Sequence, residues 1–225
     1  IKRLPTAEYR AQGRGGKGVK AMATREEDYV ETVFTASTHD SILFFTNLGK
    51  VYVRKGYRIP EAGRSARGQN IVNIIPTDPG EKVSAMIAGR GVTEDNYLVF
   101  VTRNGTVKRT AQSAFKNIRS NGIRALSLDE GDELISVLQT TGEDKILLAT
   151  HDGMAICFAE TDARAMGRDA VGVRGIRLRE GDYVVGAGIA AEGAAILSIT
   201  ENGYGKRTDV GEYSVQNRGG MGLKN

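Results

Sequence analysis

The sequence predicts an all-β fold, a propeller-like ring of four-stranded blades, on three observations. Landmarks return along the 225-residue chain about every 50 residues, a period found in propellers and solenoids. Short apolar runs flank Asn-Gly, Asp-Gly or Asn-Leu-Gly turns, the signal of β-hairpins. Glycine accounts for 29 residues against 4 prolines. That excess over a usual ~7%, in a chain without low-complexity tracts, indicates many tight turns.

Three landmarks keep one order. The first is a turn glycine leading into a strand: Asn47-Leu48-Gly49-Lys50, Asn104-Gly105-Thr106-Val107, Asp152-Gly153-Met154-Ala155 and Asn202-Gly203-Tyr204-Gly205. The second is glycine, an aliphatic residue, then a base: Gly18-Val19-Lys20, Gly122-Ile123-Arg124, Gly175-Ile176-Arg177 and Gly222-Leu223-Lys224, weaker at Gly68-Gln69-Asn70. The third is an acidic turn around Asp28, Glu81, Asp132 and Asp182. Spacings are 56, 48 and 50 between Gly49, Gly105, Gly153 and Gly203, and 53, 51 and 50 between the acidic turns.

Within each period, runs such as Ile42–Thr46, Tyr97–Val101, Lys145–Ala149 and Ala195–Ile199 enter the glycine turn and emerge into a second strand. Asn-Gly and Asp-Gly are expected to supply the positive φ of a type I′ turn. Further strands, such as Leu134–Leu138 and Val184–Ile189, follow the acidic turn. A repeat is therefore expected to be one four-stranded sheet. Stacked radially, such sheets protect their edges; a linear solenoid is the competing arrangement, which periodicity leaves open. The repeats fall at 1–40 (partial), 41–92, 93–141, 142–191 and 192–225 (partial). Ile1-Lys2-Arg3 matches Val107-Lys108-Arg109, so both ends of the chain are expected to cut through units.

Composition narrows the setting. One cysteine, Cys157, excludes an internal disulfide framework and fits a reducing compartment. No apolar run approaches the roughly 18 residues of a membrane span, so a cytoplasmic location without membrane contact is expected. Net charge is +4, with 31 basic and 27 acidic residues, and the arrangement is more informative than the total. Bases precede each second landmark: Arg14 and Lys17; Arg64 and Arg67; Lys116 and Arg119; Arg164, Arg168 and Arg174; Arg218. Lys20, Arg124 and Arg177 sit in the landmarks themselves. The second strands add Lys50, Arg54, Lys108, Arg109, Lys206 and Arg207, although the strand after Gly153 has none. Acids gather in the following turns, including Glu26, Glu27 and Asp28.

In a ring, equivalent positions share an edge, so these bases are expected to form a band along the rim. Such a band suits duplex DNA, whose phosphates are held without sequence preference by Lys and Arg. Bending DNA, with a persistence length of ~50 nm, is opposed elastically, and many contacts along the path offset that cost. The plainer alternative is a basic rim that only solvates the protein.

Other motifs carry no chemistry. Gly13-Arg14-Gly15-Gly16-Lys17-Gly18 has the spacing of a dinucleotide-binding loop but lacks the preceding strand and following helix. Gly18 stands where a Walker-type loop needs Ser or Thr. His39 and His151 lie far apart beside hairpins and, with one cysteine, show no metal-ligand spacing. No catalytic constellation or metal site is expected.

The segment Gln12-Gly13-Arg14-Gly15-Gly16-Lys17-Gly18 resembles the seven-residue box of the gyrase A family, Q-R-R-G-G-K-G, at six of seven positions. Gly13 stands in place of an arginine. The resemblance extends through Thr38-His39-Asp40, Ala66-Arg67-Gly68, Arg164-Ala165-Met166-Gly167 and Gly172-Val173-Arg174-Gly175-Ile176-Arg177, covering essentially the whole chain. It implies a β-pinwheel, usually of six blades with an altered strand exchange between neighbours, of which this chain covers most but not all. It further implies a non-catalytic domain that wraps DNA around its rim in a positively handed sense, with the box needed for wrapping. By the same resemblance the partners are duplex DNA, the rest of gyrase A and gyrase B in an A2B2 enzyme at the bacterial nucleoid. No cofactor belongs to this domain; ATP and Mg2+ serve the enzyme elsewhere. The corresponding domain of topoisomerase IV and a propeller-like protein-interaction scaffold are the alternatives, and the box argues against the first.

Overall fold

Four hairpins organise the computed structural model, which describes residues 1–9, 11–26, 28–89 and 96–225. Glu27 and the expected repeat boundary at 92/93 fall outside these residues. The strands are β1 (Ser41–Thr46), β2 (Lys50–Lys55), β3 (Val83–Gly89), β4 (Tyr97–Thr102), β5 (Thr106–Ala111), β6 (Ile123–Arg124) and β7 (Leu134–Thr140). They continue as β8 (Lys145–Thr150), β9 (Met154–Ala159), β10 (Val173–Arg174), β11 (Val184–Ile189), β12 (Ala195–Ile199), β13 (Gly205–Asp209) and β14 (Leu223–Lys224). Among the described residues only short 3-10 turns interrupt them, and no helix is long and apolar enough to cross a membrane.

Three sheets have four strands, in the orders β3-β1-β2-β6, β7-β4-β5-β10 and β11-β8-β9-β14; β12 and β13 form a fourth, two-stranded sheet. The expected sheet of one repeat is thereby corrected. Three strands come from one repeat, and the fourth, two residues long, comes from the next. β3, β7 and β11 adjoin in succession, while the exchanged strands lie at the opposite edge of each sheet.

The exchange explains the second landmark. Gly68, Gly122, Gly172 and Gly222 all have positive φ, and a Cβ on each would lie 2.4–3.1 Å from a carbonyl oxygen of the preceding repeat's second strand, at Ile1, Val51, Val107 and Ala155 respectively. Glycine is required twice over, for the dihedral and for the approach. In the third full repeat this position is Gly172-Val173-Arg174; the expected Gly175-Ile176-Arg177 follows it and is not the exchanged strand.

The hairpin turns also differ from expectation. Gly49, Gly105, Gly153 and Gly203 have φ of 75°, 82°, 78° and 81° as expected, but no described non-glycine residue has positive φ. A type I′ turn needs two such residues. Instead each glycine N–H donates to the carbonyl of the threonine three residues earlier, Thr46, Thr102, Thr150 or Thr200. This is a turn closed by a glycine bulge, the pattern of three-residue hairpin loops. Each threonine Oγ1 accepts the next backbone N–H, at 3.1–3.3 Å.

Because blades are covered on both sides, strands read as continuous apolar runs rather than alternating ones. Phe44 and Phe45 are both fully buried but face different clusters. Phe45, Phe100 and Phe115 meet between the first two sheets, the closest pair edge-on with centroids 5.6 Å apart. Such contacts add about 0.5–1.5 kcal/mol each beyond buried area. Val99, Val101 and Val107 likewise meet Ile146, Leu148, Ile156 and Phe158 between the second and third sheets.

Candidate nucleic-acid interface

The basic loops recur at one place in the fold, just before the exchanged strand, because each links a second strand to its partner in the preceding sheet. Counting back four residues from the positive-φ glycines Gly18, Gly68, Gly172 and Gly222 reaches Arg14, Arg64, Arg168 and Arg218. Three of these arginines sit in the same turn. The N–H of Gly16 donates to the Gly13 carbonyl (3.3 Å), that of Ala66 to Gly63 (3.0 Å), and that of Ala170 to Gly167 (3.3 Å). In the loop before β6 the turn lies two residues further along, with Gly122 donating to Arg119 at 2.9 Å.

The box residues Gln12, Gly13, Arg14, Gly15, Gly16, Lys17 and Gly18 are exposed, as is Lys20. Gln12, Gly18 and Lys20 share a shallow recess with Arg64 and Ser65 of the next repeat. Arg67, Lys116, Arg119, Arg124, Arg164, Arg174, Arg177, Lys206 and Arg207 are exposed too, and Arg168 and Arg218 are half-buried. A cleft of about 1240 Å³ gathers Arg54, Lys55, Arg58, Lys116, Arg119, Arg124 and Arg168 above Leu43, Ile87 and Phe115, with Asp169 the one acid among the described residues that line it. Sequence reasoning does not single out Lys55 and Arg58. Lys55 ends the second strand and Arg58 follows it, where no landmark draws attention to them.

Several second-strand bases do not face outward. Lys108 is fully buried; its ammonium donates to the carbonyls of Ala125, Gly167 and Arg168 and lies 5.0 Å from the Phe100 ring centroid. Burial pulls its pKa down to about 7, against the opposing pull of the Asp169 charge. Arg109 has an 11% exposed side chain, stacks on Tyr97 and faces the buried Glu160 carboxylate at 3.7 Å. Both are corrected from rim contacts to interior residues, because the next blade covers the face they occupy. Arg54 is half-buried and donates to the carbonyls of Ile74, Val53 and Ser120. Lys50 pairs with Asp78 of the acidic turn.

The acidic turns have a structural task that charge alone does not reveal. Asp132 Oδ1 accepts the N–H groups of Asn104 and Glu133, and Asp182 Oδ1 those of Asp152 and Tyr183. Glu81, buried, accepts from the Thr46 and Tyr52 hydroxyls and the Asp78 N–H. These acids hold the hairpin turn of their own repeat. His151, Asp152 and Asp182 bring possible ligand atoms within 4.8 Å of one another, but the bonds to Asp182 account for its position. Cys157 is buried, and burial raises its pKa.

Comparison with known proteins places this arrangement. The family model of the DNA gyrase C-terminal domain, described as a beta-propeller, matches residues 1–37, 40–89, 96–141, 144–191 and 195–225. The DNA gyrase A protein of Staphylococcus aureus is 51% identical over 227 residues, covering all of this chain and 26% of that protein. The chain thus spans about a quarter of the length of that relative. Among solved structures, a DNA gyrase A C-terminal domain superposes with a TM-score of 0.82 at 30% identity, covering 99% of this chain and 72% of that one. A C-terminal domain of DNA topoisomerase IV gives 0.80 at 30% identity, covering 91% and 64%. The Escherichia coli ParC C-terminal domain, at 14% identity and a TM-score of 0.69 over 92% of this chain and 85% of that one, shows the shared fold. The repeated blades, the strand exchange and the match along nearly the whole sequence agree: this chain belongs to the DNA gyrase C-terminal domain family.

Proposed function

We propose that this chain binds duplex DNA without sequence preference and bends it along its outer edge, as the wrapping domain of a gyrase A protein. The carrying observation is the repeated arginine loop: Arg14, Arg64, Arg168 and Arg218 stand at equivalent places in their repeats, the first three in the same turn. Cations at a regular spacing suit a regular phosphate backbone; Arg14 and Arg64 are exposed, and Arg168 and Arg218 half-buried. At the box, glycines at 13, 15, 16 and 18 let a phosphate chain approach the backbone N–H groups beside Arg14 and Lys17. The box is the point where a wrap is anchored; the other loops guide its path.

On this reading the chain performs no chemistry. Strand cleavage and the use of ATP and Mg2+ belong to the rest of gyrase A and to gyrase B in an A2B2 assembly, acting on DNA in the bacterial cytoplasm. The bent DNA offers a second segment to that machinery, and negative supercoils result. Titrating the chain with a random-sequence linear duplex at several salt concentrations tests the binding step. Log affinity is expected to fall linearly with log salt, by about 0.9 per phosphate contact. Binding insensitive to salt, or none, contradicts the proposal.

A further inference from the structure

Two lysines at one repeat position share an unusual set of partners. Lys2 donates to the carbonyls of Gly63 (2.7 Å), Arg64 (3.0 Å) and Ala66 (2.9 Å). Lys108 donates to those of Gly167 (3.3 Å) and Arg168 (2.7 Å), and to Ala125. The residue before each lysine, Ile1 or Val107, is the one whose carbonyl meets the exchange glycine, Gly68 or Gly172. The two lysines are therefore equivalent, and so are the two pairs of carbonyls, in the Gly63–Ala66 and Gly167–Ala170 turns. We propose that Lys2 and Lys108 are positioning residues, each holding the arginine turn of the following repeat from beneath and setting Arg64 or Arg168 at the DNA-facing edge. This inference rests on the DNA-binding reading above.

The chemistry of the ammonium supports it. A lysine has three N–H donors and no acceptor, and three carbonyls occupy all of them at each site. Lys108 is 0% exposed, so a phosphate cannot reach it. Bonding to the carbonyl of the arginine itself fixes that residue's backbone and hence where its side chain starts. Where the position holds another residue, the following loop is held differently. After Tyr52 the turn closes between Arg119 and Gly122. After Ile156 the loop is tied by Arg218 itself, whose guanidinium donates to the carbonyls of Asp162 and Arg174. Asp169 and Arg168 are the charged groups that act on Lys108.

The test compares the unaltered chain with Lys108→Met, Arg168→Ala and the double variant. Amide hydrogen exchange reads the turn without DNA, and binding to a random-sequence linear duplex reads its consequence. In Lys108→Met, exchange at the Ala170 N–H is expected to quicken by about tenfold, the loss of one charge-assisted bond, while the Ala66 N–H is unchanged. Affinity is expected to fall in each single variant and no further in the double, because Lys108 acts only through Arg168. Unchanged protection of Ala170 overturns the proposal. So do additive affinity losses, with a salt slope that drops again on adding Lys108→Met to Arg168→Ala. If Lys108→Met does not fold, Lys2→Met with Arg64→Ala, read at Ala66, decides on the same criteria. If the unaltered chain does not bind DNA, the functional reading fails, while exchange at Ala170 still decides whether the lysine holds the turn.

Discussion

The Asp132 carboxylate accepts the backbone N–H of Asn104 at 2.9 Å, so an acidic turn closes the hairpin that lies about 30 residues before it. The equivalent bond joins Asp182 to Asp152 at 3.0 Å. Acids that look like surface charge in the sequence are fasteners within a blade. Their placement leaves the arginine turns, on the loops that cross between blades, as the main outward-facing bases.

The fastener has a pH dependence. Burial pushes the Asp182 pKa up. Bonds from the Thr150 hydroxyl and the Asp152 and Tyr183 N–H groups, with the nearby His151, outweigh it and leave the pKa below its ordinary value. A carboxyl lowered in the folded state stabilises above its unfolded pKa of about 3.9, and that contribution is lost as pH falls through the folded value. Thermal unfolding between pH 6 and about 3 is expected to show a smaller acid-induced loss in Asp182→Asn than in the unaltered chain. Parallel curves contradict the assignment.

The strand exchange makes a paired glycine prediction. Gly172 and Gly181 both have positive φ, but a Cβ at 172 would lie 2.5 Å from the Val107 carbonyl oxygen, and one at 181 would meet nothing within 4 Å. Gly181→Ala is expected to cost about 1–2 kcal/mol, the left-handed conformation alone. Gly172→Ala adds a clash with backbone and is expected to cost clearly more, with loss of β10 pairing. Urea unfolding of the two variants gives the difference; equal costs mean that β10 does not need the close approach.

The third blade's sector offers a test of the rim. β9 carries Met154-Ala155-Ile156-Cys157-Phe158 and no base, so on the proposed DNA-binding reading the contacts fall to Arg164, Arg168 and Arg174, on the segment that leaves β9 and reaches β10 of the second sheet. Replacing all three by alanine is expected to lower the salt slope of DNA binding by up to about 2.7, at roughly 0.9 per lost contact. An unaltered slope in this variant removes the sector from the interface.

Much of this organisation is legible in the sequence because each landmark is a backbone requirement. Gly105 and Gly172 are glycines for steric reasons, so the period survives while the side chains around it vary. The turn type is not legible, because Asn-Gly suits two loop lengths and only the Thr102–Gly105 bond separates them. Strand exchange is implied by the family resemblance alone and is invisible to periodicity, because β6, β10 and β14 are two residues long. Lys108 and Arg109 mislead for a related reason: blades bury both faces of β5, so alternation there no longer distinguishes outside from inside. Lys2 and Lys108 at equivalent positions are the available signal that this base serves the fold.

Wrapping itself is the central claim, and the box is where it is most exposed to test. Nicked circular DNA is sealed by ligase with the chain bound, and the linking number of the product is read after the protein is removed. The unaltered chain is expected to shift the distribution in the positive sense, while Arg14→Ala with Lys17→Ala still binds DNA but leaves the distribution where free DNA has it. No shift with the unaltered chain bound, or the full shift with the double variant, contradicts the account.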